Sequence, residues 1–146
     1  MYTPFWKSKS LREMNDLEWE SLCDGCGRCC LLKFEDVDTG RIAYTDVACR
    51  LLDCESCRCR DYPRRTRLVK ECLDLRAGDV SSFRTLPSTC AYRLLSEGRD
   101  LPEWHPLVTG DPASVHEAGI SVRGKVTSEE FVHPDDLEGR DVDWPR

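Results

Sequence analysis

With 146 residues, 40% of them apolar and 33% charged, and a mean hydropathy of -0.52, the chain has the length of one domain but only a modest core. Its formal net charge of -6 weighs against a dominant nucleic-acid role, because phosphate binding needs a basic face. No apolar run is long enough to span a membrane, and the first residues lack the apolar stretch of a secretory signal. A cytoplasmic protein without a membrane partner is therefore expected, in a compartment that keeps thiols reduced.

In chain order, Ser10-Leu-Arg-Glu13 and Asn15-Asp-Leu-Glu18 each place a capping residue three positions before a glutamate. A short helix is predicted from about Asp16 to Leu22, with Trp19 and Leu22 turned to the core. It leads into Cys23-Asp-Gly-Cys26-Gly-Arg-Cys29-Cys30, and Gly25 and Gly27 predict that the helix unwinds there into a tight knuckle. Leu31–Glu35 and Arg41–Thr45 flank the turn composition Asp38-Thr-Gly40, which predicts a β-hairpin that carries the chain to Cys49. Cys49, Cys54, Cys57 and Cys59 follow in an arginine-rich loop, and Leu68, Cys72 and Leu75 have weakly helical spacing. Ser88 to Glu97, ended by Gly98, is the clearest helical pattern, with Cys90 facing inward. Beyond it the chain reads as irregular, with Ile120, Val122 and Val126 as a candidate late strand. The expected fold class is α+β: a small, loop-rich, metal-stapled single domain over 1–146 with short helices and a β-hairpin. About 1–15 and 135–146 are expected to be less ordered.

The ten cysteines carry the chemistry. Two C-x-x-C steps ending in a vicinal pair supply four soft donors within one short run, and each C-x-x-C step suits two neighbouring corners of a tetrahedral zinc site. Closely spaced cysteines with a distant fourth suit an iron–sulfur cluster equally well. Adjacent cysteines such as Cys29 and Cys30 diverge and seldom serve one ion, which points to two centres or one bridged cluster. Cys57 and Cys59 gain weight from the first run. Spacing alone leaves Cys72 and Cys90 open between ligand and small apolar residue. Arg28, Arg58 and Arg60 stand where they would offset a tetrathiolate centre of formal charge -2, or else are simply solvated. No histidine has ligand spacing, and no phosphate loop, G-x-S-x-G or H-E-x-x-H motif occurs, so no catalytic residue is assigned. The stretch from Arg58 to Lys70 carries six basic residues against one acid, while from Glu129 to Arg146 seven acids meet two arginines. Pairing of that basic face with the acidic tail is expected, with a protein or other anionic partner as the alternative.

The run C-x-x-C-x-x-C-C resembles the signature of a bacterial cysteine-cluster family described by zinc or iron chelation, and the chain looks closest to its YcgN-type group. The likeness extends through Pro4-Phe5-Trp6, Glu18 to Cys26, Val47-Ala-Cys49-Arg50, Cys57-Arg-Cys-Arg-Asp-Tyr62, Cys90-Ala-Tyr-Arg-Leu-Leu95 and Leu101-Pro-Glu-Trp-His-Pro-Leu107. It implies a metal role for Cys23, Cys26, Cys29, Cys30, Cys49, Cys57, Cys59, Cys72 and Cys90, while Cys54 departs from the pattern. The implied cofactor is a zinc or iron ion, or an iron–sulfur cluster, in one or two centres. A metal-binding protein is the leading reading. An iron–sulfur oxidoreductase or radical-type enzyme is the alternative, since a related cluster occurs within a flagellin lysine methylase, and a metal carrier or sensor is the third.

Overall fold

The computed structural model describes residues 3–70, 72, 74–78 and 80–144. Helix α1 (Phe5–Ser8) and a 3-10 turn at Leu11–Glu13 lead into α2 (Asp16–Ser21). Both capping patterns act as the sequence predicts. Ser10 N–H donates to the Glu13 carboxylate at 2.7 Å, and Asn15 and Glu18 exchange reciprocal bonds of 3.0 and 2.8 Å. These caps satisfy the first amides of helices too short to hold themselves.

The predicted hairpin is present as β1 (Leu31–Glu35) and β2 (Ile42–Ala48), paired antiparallel with Leu31 opposite Ala48 and an irregularity between Leu31 and Lys33. A third strand, β3 (Thr127–Ser128), joins β2 in parallel, giving the order β1-β2-β3. The late strand is thus shorter and later than the Ile120–Val126 pattern suggested. Ile120 and Val122 are buried as loop residues, because Val122 N–H is taken by the Cys26 carbonyl at 2.9 Å rather than by a sheet ladder. The connection between β2 and β3 carries α3 (Arg65–Leu68), α4 (Ala91–Ser96), α5 (Pro106–Thr109) and α6 (Ser114–Glu117). Helix α4 is shorter than the Ser88–Glu97 pattern, since Cys90 is its extended N-cap. Helix α3 stops at Leu68, so the spacing of Leu68, Cys72 and Leu75 is not helical.

Three apolar clusters make the core. Met14, Trp19, Leu22, Phe83, Leu86, Ala91, Tyr92 and Leu101 join α2 to α4, with Phe5, Trp6 and Leu11 packed against them. Leu31, Ala48, Leu52, Cys57 and Val122 lie under the hairpin, and Cys26, Val115 and Ile120 form a third group beside Trp104. The first cysteine run passes between all three: Leu22 belongs to the first, Cys26 to the third, and Cys30 and Leu31 to the second. Packing on three sides fixes a segment that has no regular structure of its own. The tail docks on β2, where Thr45 bridges Asp141 and Trp144 Nε1 donates to the Thr45 carbonyl at 3.3 Å. Among the described residues no helix is long and apolar enough to cross a membrane.

Candidate metal centre

All ten cysteines are free thiols. The first run is folded by its glycines. Gly25 and Gly27 have φ of +81° and +77°, the left-handed region, and so reverse the chain after Asp24 and again after Cys26. The reversal aims amides at sulfur: Gly25 N–H reaches the Cys23 thiol, and Arg28 N–H reaches Cys26 Sγ at 3.5 Å. The same hook recurs at Cys49, whose thiol accepts from Leu51, and at Cys90, which accepts from Arg93. Amide donation stabilises a thiolate, the form that binds metal. Asp24 tightens the knuckle by accepting Cys26 N–H at 2.9 Å.

The hairpin then brings the second group alongside the first. Cys49 N–H donates to the Cys30 carbonyl at 2.7 Å, and Cys59 pairs with Leu52 in an isolated bridge that folds the loop back. Within that loop Asp53 accepts from Glu55 and Ser56, which turns the chain through Cys57. Cys57 itself is the one described residue other than glycine with positive φ, at 61°, and it is 4% exposed. Its neighbours are Ser121, Val122 and Arg123, and its Cβ would lie 3.3 Å from a methyl group on Gly27. Cys54 packs at the edge of the cluster under the hairpin.

The electrostatic neighbours sort the remaining thiols. Cys23 feels Cys29; Cys26 feels Cys29 and Cys23; Cys90 feels Cys29 and Cys23; and Asp24 acts on all three. Separately, Cys30 feels Cys49 and Cys72, Cys49 feels Cys59, and Cys72 feels Cys49 and Cys59. Cys29 stands between the groups, acting on Cys30 and Cys72 as well. The Cys30 thiol donates to Cys29, which lowers Cys29 to about 7 and raises Cys30 in turn. Burial holds Cys26 and Cys90 well above the ordinary thiol value, whereas the Cys23 side chain is exposed. Among the described residues no three His, Cys, Asp or Glu side chains already stand in the close grouping of a coordination sphere.

The surroundings fit a cation. Asp24 is 5% exposed and its Oδ2 has no hydrogen-bond partner; Thr89 Oγ1, next to Cys90, is likewise buried without one. Buried polar atoms left unpaired cost about 1–3 kcal/mol each, and a bound cation would offset that cost at the carboxylate. Two of the three arginines singled out by sequence are in place as counter-charges. Arg58 Nη1 lies 4.0 Å from Cys23 Sγ with its guanidinium over Gly25. Arg28 is 3% exposed, donates through Nε to the Ile120 carbonyl at 2.8 Å, and lies within reach of Cys26 and Asp24. Sequence reading missed Asp24 as a group built into the site. It also set aside His105, which is fully buried: Nδ1 accepts Leu107 N–H and Nε2 donates to the Leu22 carbonyl at 2.8 Å, bracing the residue before Cys23. Both ring nitrogens are used, so His105 is a brace rather than a donor to metal. The basic stretch finds its partners locally. Arg64 pairs with Asp61 at 2.6 Å, and Arg65 stacks on Tyr62 at 3.8 Å with Asp74 at 4.0 Å. The tail instead gives Arg140 to Asp46.

Residues 22–91, which include all ten cysteines, match the profile of the CxxCxxCC family, described as "Putative zinc- or iron-chelating domain". The chain is similar to the UPF0260 protein of Allorhizobium ampelinum, 57% identical over 97% of this chain and 89% of the relative. It is also 54% identical to the UPF0260 protein of Parvibaculum lavamentivorans (97% and 93% covered) and 55% identical to that of Rhodopseudomonas palustris (97% and 84% covered). No solved structure matches.

Proposed function

The chain belongs to the UPF0260 family of cysteine-rich proteins, and on that footing we propose that it is a zinc- or iron-chelating protein whose thiolates clamp distant parts of one small domain together. The observation that carries this reading is the approach of thiols from separate segments: Cys23, Cys26, Cys29 and Cys90 neighbour the buried Asp24 carboxylate, whose Oδ2 has no hydrogen-bond partner, while Cys49 and Cys72 neighbour Cys30. The nine cysteines of the family pattern are the candidate ligands, and their soft donors suit zinc, iron or an iron–sulfur cluster. A cytoplasmic setting, where thiols stay reduced, is part of this reading, and a YcgN-type placement within the family rests on the sequence resemblance alone. With short helices and a small sheet, the fold gains from cross-linking what its core cannot supply.

The test is anaerobic purification followed by elemental analysis, acid-labile sulfide assay and a visible spectrum. Zinc or iron in stoichiometric amount is expected. A brown protein with sulfide would assign a cluster, and a colourless zinc protein a mononuclear thiolate site. Protein that stays folded and retains neither metal, even after anaerobic reconstitution, overturns the reading.

A further inference from the structure

The sheet has an open side at β1. In the order β1-β2-β3, that strand is hydrogen-bonded to β2 along one edge only. Asp36 N–H donates to the Arg41 carbonyl at 2.8 Å, and the register pairs Glu35 with Ile42, Phe34 with Ala43 and Lys33 with Tyr44. Hydrogen bonding alternates along an antiparallel ladder, so Phe34 bonds inward to Ala43 while the amides and carbonyls of Lys33 and Glu35 point away from β2. The Leu32 carbonyl keeps the same phase, taking the Thr45 hydroxyl at 2.7 Å. Among the described residues no backbone group from outside the sheet bonds to Lys33 or Glu35 on that outer side. Phe34, on the opposite face from those two, is 44% exposed, so apolar area remains to be covered.

We propose that two copies of this chain associate edge to edge through β1, antiparallel about a two-fold axis at Phe34. The charges choose the register. Outward backbone groups meet their like only when Lys33 or Glu35 faces Lys33 or Glu35 of the second copy. Lys33 opposite Lys33, or Glu35 opposite Glu35, sets like charges side by side, which is unfavourable. Lys33 opposite Glu35 of the second copy makes an unlike pair, and the two-fold axis repeats it. In that register each such pair exchanges both of its backbone hydrogen bonds, and the two Phe34 rings meet at the axis. Glu35 gives Oε1 to Arg84 at 2.7 Å, which leaves Oε2 for the incoming lysine. Lysine at a sheet edge ordinarily wards off a second strand, but here the glutamate two residues on answers it in this one register. The strand is short, and the irregularity between Leu31 and Lys33 ends its regular edge, so the dimer is weak and reversible.

Sedimentation equilibrium of the full chain under reducing conditions tests the proposal over a roughly hundredfold range of concentration. The wild type should pass reversibly from monomer to dimer, and added salt should weaken the dimer. Lys33→Glu and Glu35→Lys should each raise the dimer dissociation constant about tenfold or more, because each sets like charges opposite one another. An equimolar mixture of the two variants should dimerise again, since every cross-strand pair in a mixed dimer is unlike. All samples are compared at equal metal content, so that the cysteine site contributes equally. A wild type that stays monomeric throughout, a dimer indifferent to both charge reversals, or folded variants that fail to associate when mixed would each overturn the proposal. If the variants do not fold, amide hydrogen exchange of the wild type decides. The Lys33 and Glu35 amides should slow about tenfold or more between dilute and concentrated solution, with Phe34 slow in both. Unchanged exchange at Lys33 and Glu35 refutes the edge contact.

Discussion

Replacing Gly27 by alanine should damage this protein more than the same change at any glycine facing open space. Two costs combine. The residue holds φ of +77°, and a side chain in the left-handed region costs about 1–2 kcal/mol. The new methyl would also stand 2.8 Å from Val122 Cγ2 and 3.3 Å from Cys57 Cβ. Val122 is 0% exposed and its amide is held by the Cys26 carbonyl, so it has nowhere to retreat. Overpacking of this kind adds about 1–3 kcal/mol, for a total of about 2–5 kcal/mol. Gly119→Ala is the control: its φ is +74°, but no atom lies within 4 Å of the added methyl, so only the first cost applies. With a urea slope of about 2 kcal/mol per molar, Gly27→Ala should unfold about 0.5–1.5 M earlier than Gly119→Ala. Both variants are compared in the same metal state, so that the contribution of metal cancels. Equal midpoints for the two variants would refute the claim that the knuckle is wedged against Val122.

Three other outcomes follow from the same geometry. His105→Ala should cost about 3 kcal/mol or more in urea unfolding, since it leaves a cavity and strands the Leu22 carbonyl and Leu107 amide. Arg58→Gln should speed zinc transfer to a competing chelator by roughly fivefold, the effect of about 1 kcal/mol lost beside Cys23, while leaving unfolding of the metal-free chain nearly unchanged. In the metal-free chain, burial holds Cys26 and Cys90 higher than an unfolded thiol. Raised thiol values favour the protonated folded state, so stability is fully present below about 8.5 and is lost as pH climbs above it, readable as a falling melting temperature. The metal-loaded protein should show the opposite trend at low pH, where protons displace metal from sulfur, and circular dichroism over pH 5–10 separates the two forms.

Local signals were the most legible. The two capping patterns, the glycine knuckle and the hairpin each depend on residues within a few positions, and each appears where short-range chemistry puts it. Elements that depend on partners far along the chain were read less well. Helix α4 begins at Ala91 because Cys90 is extended, its amide donating to Pro87 and its carbonyl receiving Leu94. Val122 looked like strand but spends its amide on Cys26. Which sulfurs are neighbours was not readable from spacing, since Cys72 and Cys90 reach their groups only through the packing of α2 on α4 and the fold of the long loop. Asp24 gave a faint local sign, a carboxylate one residue after Cys23 in a run otherwise made of glycine, arginine and cysteine. The local Arg64–Asp61 pair likewise answers the charge pattern at shorter range than the acidic tail would.

The parallel pairing of β2 with β3 sets the order in which this protein can assemble. Val47 and Ala48 wait for Thr127 and Ser128, and the Cys26 carbonyl waits for Val122, so the first sulfurs are not fully cradled until the far end of the polypeptide returns. Closing so long a loop is entropically unfavourable before any contact rewards it, which slows folding relative to a hairpin alone. During synthesis the opening knuckle therefore emerges well before Val122, Thr127 and Ser128, the residues that brace it.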